Sequence, residues 1–588
     1  MKRFVIALML SGLAAAATLP TQAEEAQLRA GFGARQITPT QDNPDNTAEW
    51  GFIAGPNGIW GEEFTDQNGN TYYDPGEPFV DDPRNSLIDP QSTGEWDGCW
   101  TGAGFGSQGA LGYYDDTWAR AIVLEVGDTK VAIVSLDVVG FFYEEIERVR
   151  TELDAELQDH GIDKVIVSST HTHEGCDTMG LWGNPGYATD GKHPLYQAFI
   201  RSQIVQAIAD ANTGLEPATM KAATTMHTAG IRDSRDPDVI DPWLQTAQFI
   251  GSDDTVIGTI VNWSNHPEAL AGDNSYISSD FPHGARTKLE EEFGGTAIYF
   301  SGSVGGLMTP LRVDMGPPYY DGFRDPDGNA LPAEIARDRA YYIGELVADA
   351  AIGALTDAPV EQPTALELRS KELFMPGDNY SLRVLNAAGI FDKPTYTAGQ
   401  NLGPFGDEFK TELVTVGLGS VRVQTVPGEL FPELEVLHPE THEHQFGRAD
   451  CAEADTGRPF EPVIEAQFEE QHLFTLGLAQ DELGYIVPGY DFWIAGAPDE
   501  ILKQVAGQEA KPRPLVDIGV LEAEDPCGEG HYEETVSASS VMAPLVTCTV
   551  AELAGHEPWD HHEEEAYAAC APENTTTAPQ GLHLDAFP

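Results

Sequence analysis

Residues 164–175 read KVIVSSTHTHEG, a run of valine and isoleucine that passes through small hydroxyl residues into two histidines spaced i, i+2. A short apolar run rich in β-branched residues predicts a strand buried on both faces. Successive strand side chains point to opposite faces, so a chain that stays extended to its end projects His171 and His173 to one side. That pattern suits one imidazole on a metal and the other beside it. It equally suits a strand capped by hydrogen bonds to loops, and the pair alone does not choose.

Repetition along the chain makes the choice. TVIGTIVNWSNHPEAL delivers His266 just past its apolar part, VRVQTVPGELF delivers Glu429, and AQDELGYIVPGYDF presents Asp481, Glu482 and Tyr485. In open α/β sheets, sites form outside the carboxyl ends of strands, so these groups can converge although hundreds of residues separate them. Imidazole with carboxylate or phenolate oxygen suits zinc, and such a set with one position left for water describes a hydrolytic centre rather than a structural one. A further run, TAIYFSGSVGGLMTP, ends in Gly305, Gly306, Thr309 and Pro310. Small residues there let backbone amides approach an oxyanion, or simply make a tight turn.

The same strand-like texture recurs at 119–126, 130–140, 255–264, 295–302 and 419–428, and helical periodicity marks 143–161, 195–212 and 332–355. Strands alternating with helices predict an α/β fold, a large mixed β-sheet core with flanking helices and the metal site at the strand ends. The expected organisation is a signal peptide over 1–23, one catalytic α/β unit over 28–570 with a Gly/Asp/Pro-rich insertion at 41–113, and a flexible tail at 571–588. The basic, then apolar, then small-residue start implies export, secreted or periplasmic, without stable membrane insertion. With 95 acidic against 32 basic residues the net charge is −63, which opposes nucleic acid and anionic lipid as partners. Six cysteines in an exported chain permit disulfides, and Cys451, Cys527, Cys548 and Cys570 predict one or two bridges in the last quarter.

At this level of detail THTHEG (170–175), NHPEAL (265–270) followed by NSYISSDFP (274–282), the Gly-rich loop before Thr309-Pro310, VPGELF (426–431) and GYIVP (484–488) resemble the neutral/alkaline non-lysosomal ceramidases and their bacterial relatives. DDTWARAIVLE (115–125) and SLDVVG (135–140) are similar to that family's early strands. The resemblance implies a secreted zinc amidase that cleaves an N-acyl bond of a small-molecule or lipid amide such as ceramide. Carried over by motif, His171 and His266 become zinc ligands, Glu429 the carboxylate ligand, Tyr485 the phenolate ligand, and His173, behind them, the acid/base or oxyanion donor. Arg232 or Arg235 of GIRDSRDPDVIDP becomes the group that holds developing negative charge. Two positions depart from the family pattern: Thr309 stands where serine precedes the proline, and Glu482 stands where tyrosine is common, so either Glu482 or Tyr485 completes the ligand set. The chain leaves no length for the family's C-terminal immunoglobulin-like domain. Rival readings are a metallohydrolase for another acyl or phosphoester substrate, and a secreted metal-stabilised binding protein without catalysis.

Within the insertion, EFTDQNGNTYYDPGEPFVDD places Asp66, Asn68, Asn70, Asp74 and Glu77 at positions 1, 3, 5, 9 and 12 of a calcium-loop spacing. A calcium ion or a solvated acidic turn are the two readings. HEH at 442–444 and HH at 561–562 read as surface histidines, and HYEET (531–535) falls where the family lines its substrate region.

Overall fold

The computed structural model describes residues 26–40, 43–45, 59, 61–69, 73, 77–80, 98–101, 108–183, 190–235, 238–270, 274–387, 389–391, 393–397, 407–436, 458–493, 523–524 and 530–576. The expected signal peptide, the HEH run, Cys451, Cys527 and residues 577–588 lie outside them.

The large sheet is built from β1 (Arg29–Gln36), β2 (Trp118–Val126), β3 (Thr129–Leu136), β4 (Lys164–Ser169), β5 (Glu216–Met226), β6 (Trp243–Gly251), β7 (Val256–Trp263) and β8 (Thr296–Ser301). Their order is β8-β7-β6-β5-β1-β2-β3-β4, and the short strand Val360–Glu361 pairs with β5 as a ninth member. Four helices join them: α1 (Tyr143–Glu156), α2 (Pro194–Thr213), α3 (Phe281–Phe293) and α4 (Ala333–Thr356). The sheet is mixed, as expected, because each end holds a parallel pair joined through a helix, β3–α1–β4 and β7–α3–β8, while the intervening pairs are antiparallel. The β2–β3 hairpin turns through two residues from Val126 to Thr129, with Gly127 at φ 62° supplying the positive dihedral that such a turn needs.

β2 shows why the core has two sides. Its run WARAIVLEV buries Ala121 and Val123 against α1 and α2, while Ile122 and Leu124 face the other way. On that second face lies a smaller sheet of β9 (Leu366–Pro376), β10 (Glu408–Leu418), β11 (Val421–Thr425) and β13 (His472–Leu476), in that order. Ile122, Ile133, Phe249 and Phe300 of the large sheet pack with Val414, Val416, Val423 and Phe474 of the small one. Helix α5 (Met542–Ala554) covers the far side through Val546 and Val550. Residues 429–430 and 485–486 form a separate parallel pair, β12 and β14, in which Glu429 is opposite Tyr485.

The large sheet curls until its two edges meet. Ser135 Oγ on β3 donates to the Tyr299 carbonyl of β8 at 2.6 Å, and Ser301 Oγ donates to the Thr170 carbonyl at 2.6 Å. The chain following β13 threads between them: Ser168 Oγ donates to Gly477 O, Ser169 N to Leu478 O, and Gly477 N to Ser301 O. Strand ends far apart in hydrogen-bonding order thereby share one space.

Close approach also decides β1. A Cβ added at Gly31 would stand 2.0 Å from the Ala211 carbonyl of α2, and one at Gly33 would stand 2.2 Å from the Ala207 carbonyl. The GFG alternation therefore lets α2 lie directly on the strand. Gly31→Ala is expected to force that helix outward and cost about 1–3 kcal/mol of unfolding free energy, measured by urea titration.

Among the described residues two disulfides fix loops. Cys548–Cys570 lies in the last quarter as expected, and Cys99–Cys176 ties the insertion to the loop just after His173. Among the described residues no helix is long and apolar enough to cross a membrane.

Candidate metal centre

β4 ends at Ser169, and His171 two residues later takes φ 66°, a left-handed dihedral uncommon for a side-chain-bearing residue. The chain is thus not extended through both histidines, and their convergence has another cause. Backbone carbonyls from the loop after β3 hold the first one: His171 N donates to Val138 O at 3.0 Å, and its Nδ1–H donates to Val139 O at 2.6 Å. His266 is held the same way, with N at 3.0 Å and Nδ1 at 2.6 Å from the Met308 carbonyl. A carbonyl accepts only, so each neutral ring carries its proton on Nδ1 and turns the Nε2 lone pair inward, the tautomer a metal requires.

Those lone pairs meet. Glu429 Oε2 lies 3.1 Å from His266 Nε2 and 3.5 Å from His171 Nε2, and His173 Nε2 lies 3.3 Å from His171 Nε2. Four ligands at about 2.0–2.1 Å on a tetrahedral ion stand roughly 3.3–3.4 Å from one another, so the spacing fits a shared cation. The ligand atoms of His171, His173 and His266 all lie within 4.8 Å of one another, which puts His173 beside the other imidazoles rather than behind them. Burial would raise the Glu429 carboxyl, but His171 and His266, when protonated at Nε2, outweigh it and hold it well below the usual carboxylate range; positive charge at this point, whether a proton or a metal ion, is what favours the carboxylate. Burial, with His171 and His266 adjacent, lowers His173 well below the usual imidazole value, which keeps it neutral.

Tyr485 is brought to Glu429 by the register of β12 and β14, and burial followed by the nearby Glu429 pushes its phenol well above 10. Glu482 is buried too; Gly484 N donates to its Oε1 at 3.0 Å, and its Oε2 has no hydrogen-bond partner. Both residues line a cavity of about 130 Å³ that begins at His171, His173 and Glu429. Beyond these groups its wall is mostly apolar, with Phe142, Trp182, Leu385, Phe391, Tyr532 and Ala538 among the lining residues, and Lys393, paired with Glu144 and Asp481, also lines it. Asp177 shapes one side by accepting the Met179, Gly180 and Trp182 amides at 2.7–2.9 Å.

The remaining expected site residues are held by the following contacts. Arg235 is buried and paired with Glu533, Glu534 and Asp491 at 2.7–2.9 Å, clamping the HYEET segment whose Tyr532 faces the cavity. Arg232 Nε donates to Leu311 O at 2.8 Å, and its backbone pairs with Thr309. Thr309 donates its hydroxyl to Glu268, and Gly305 N donates to Leu430 O at 2.8 Å. In the calcium-loop spacing, Asp66 accepts from Gly69 N and Glu77 from Gln67 N, while Asn70 and Asp74 lie outside the described residues. His561 is exposed and paired with Glu564, as a surface histidine should be. The carbonyls of Val139 and Met308 are site groups that sequence reading missed, because every residue has one and no letter marks it.

No family model matches the chain, and no curated protein matches it. Solved structures do. A crystal structure of neutral ceramidase from Pseudomonas aeruginosa aligns at TM-score 0.55 and 15% identity, over 90% of this chain and 74% of that one. A ceramidase complexed with C2 aligns at TM-score 0.54 and 15% identity, over 90% and 75%. This chain therefore has the fold of the neutral ceramidases.

Proposed function

We propose that the protein is an exported zinc-dependent hydrolase of the neutral ceramidase type that cleaves the N-acyl bond of a lipid amide. The supporting observation is the donor set itself: imidazoles and a carboxylate at tetrahedral edge spacing, opening onto an apolar slot. Borderline nitrogen and oxygen donors suit zinc, and zinc when bound polarises a carbonyl and makes a coordinated water acidic.

In this reading His171, His266 and Glu429 hold the metal, and the Val139 and Met308 carbonyls fix the two rings. Tyr485 or Glu482 completes the set; the unpartnered Glu482 Oε2 gives that carboxylate an oxygen to offer. His173, neutral and facing the same point, takes a proton at Nε2 during attack and returns it to the departing amine. The acyl chain lies along Phe142, Trp182, Leu385 and Phe391, which exclude water from it. Thr309, its hydroxyl given to Glu268, anchors the segment whose Met308 carbonyl orients His266, and Arg235 braces the slot wall rather than the reacting carbonyl.

The test is turnover of fluorogenic N-acyl substrates of increasing chain length, before and after chelation. Each methylene buried in the slot is worth about 0.8 kcal/mol, so kcat/KM is expected to rise roughly fourfold per methylene until the slot is full. Chelation should abolish the activity and zinc restore it. Bound zinc without hydrolysis of any amide, ester or phosphoester would favour the binding-protein reading.

A further inference from the structure

A second cavity, of about 160 Å³, shares no lining residue with the slot. Asp241, Glu435, Glu465 and Glu470 face it, and among the described residues that line it there is no lysine, arginine or histidine. Glu470 is paired with Arg422. Asp241 and Glu435 are buried at 5% and 6% exposure, and Glu465 is half-buried. Asp241 accepts from Trp243 N at 2.9 Å and from Ser264 Oγ at 2.7 Å. Glu435 Oε2 has no hydrogen-bond partner. Burial first, and then the Asp241 charge, pushes the Glu435 carboxyl upward, so the group needs either a proton or a cation.

The lining favours a hard cation. Asn262 donates its Nδ2 to the Phe300 and Thr475 carbonyls at 3.2 and 3.0 Å, which leaves its Oδ1 as a further oxygen donor. Carboxylate and amide oxygens without sulfur or imidazole are the donor set of calcium, which takes six to eight oxygens in flexible geometry. A space of 160 Å³ holds such an ion with part of its water shell.

We propose that this cavity is a calcium site, with Glu435, Asp241 and Glu465 supplying carboxylate oxygens and Asn262 an amide oxygen to a partly hydrated ion. Its place gives it a task. Ser264, bonded to Asp241, also receives Ser303 N at 3.0 Å and stands two residues before His266. Glu435 closes the short helical turn Pro432–Glu435 that follows Glu429. An ion here ties together the segments that deliver two ligands of the candidate metal centre, and the inference holds whatever reaction that centre performs.

The experiment uses full-length, zinc-loaded protein freed of calcium with EGTA. Melting temperature is followed during calcium titration, and terbium emission is excited through Trp243, which lines the cavity. Wild type should gain several degrees with calcium in the millimolar range or below, and calcium should displace the terbium signal. Glu435→Gln should lose both responses. Trp243→Phe should lose sensitised emission from this site while keeping the calcium-dependent shift. If Glu435→Gln does not fold, Glu465→Gln carries the test at a half-buried position, where the calcium midpoint should rise at least about tenfold. A calcium response unchanged in these carboxylate variants, or none in wild type at about 10 mM, overturns the proposal. Stabilisation by tetramethylammonium or spermidine instead of calcium overturns the choice of a metal.

Discussion

Glu429→Gln is expected to yield a folded protein that no longer retains its metal. The change keeps the shape of the side chain but removes the charge that stands 3.1 Å from His266 Nε2 and 3.5 Å from His171 Nε2. Two inward lone pairs then face an amide oxygen, which is a weaker partner for a dication than a carboxylate. Bound zinc per chain should fall to a small fraction of the wild-type value after dialysis, measured by mass spectrometry. Loss of the ion withdraws several kcal/mol of transition-state stabilisation, so N-acyl turnover should fall by roughly a thousandfold or more. His173→Ala separates the two roles open to that imidazole. As proton carrier, its loss should leave zinc in place and lower kcat by about 10²–10⁴-fold; as ligand, its loss should release zinc as Glu429→Gln does. Full zinc content and unchanged turnover in Glu429→Gln would falsify the centre as described.

Asp137→Ala is expected to be the most destabilising single change outside the hydrophobic core. Arg286 reaches Asp137 with two parallel bonds, Nη1 to Oδ1 and Nη2 to Oδ2, both 2.9 Å, and neither side chain is more than 3% exposed. Trp118 N also donates to Asp137 at 2.9 Å. Removing the carboxylate leaves a buried guanidinium with no counter-charge, which costs about 3–5 kcal/mol in comparable pairs. Urea unfolding should show that loss. The double change Asp137→Leu with Arg286→Met should cost less than the single one, because it leaves no orphaned charge. The effect should also reach the candidate centre. Val138 and Val139 follow Asp137 directly and hold His171 through their carbonyls, so zinc affinity should drop by about 10–100-fold in the surviving folded protein.

Much of the scaffold was legible because burial writes itself into local pattern. The runs at 119–126, 164–170 and 295–302 appear as strands within a residue or two, and the helices at 143, 194 and 333 start where periodicity places them. β6 escaped because its Gln245, Thr246 and Gln248 look like surface residues, although all three are buried. β9 escaped for the opposite reason: LELRSKELFMP is a half-exposed strand whose charged residues hide the alternation. The spacing of His171 and His173 pointed to a shared site through an extended strand, yet the chain turns at His171 and carbonyls do the positioning.

The sequence by itself determined that β-branched runs end in imidazole and carboxylate groups, and that their chemistry suits a cation. Both are properties of neighbouring residues, set by side-chain type and by the two-residue strand period. Only the tertiary structure decided that the ends of β4, β7 and β11 meet. That meeting depends on the summed curl of the sheet, on the small sheet packed inside it, and on residues 477–480 threading between Ser168 and Ser301. No local stretch encodes it, because curl accumulates from every strand pair and becomes definite only when both edges find their partners.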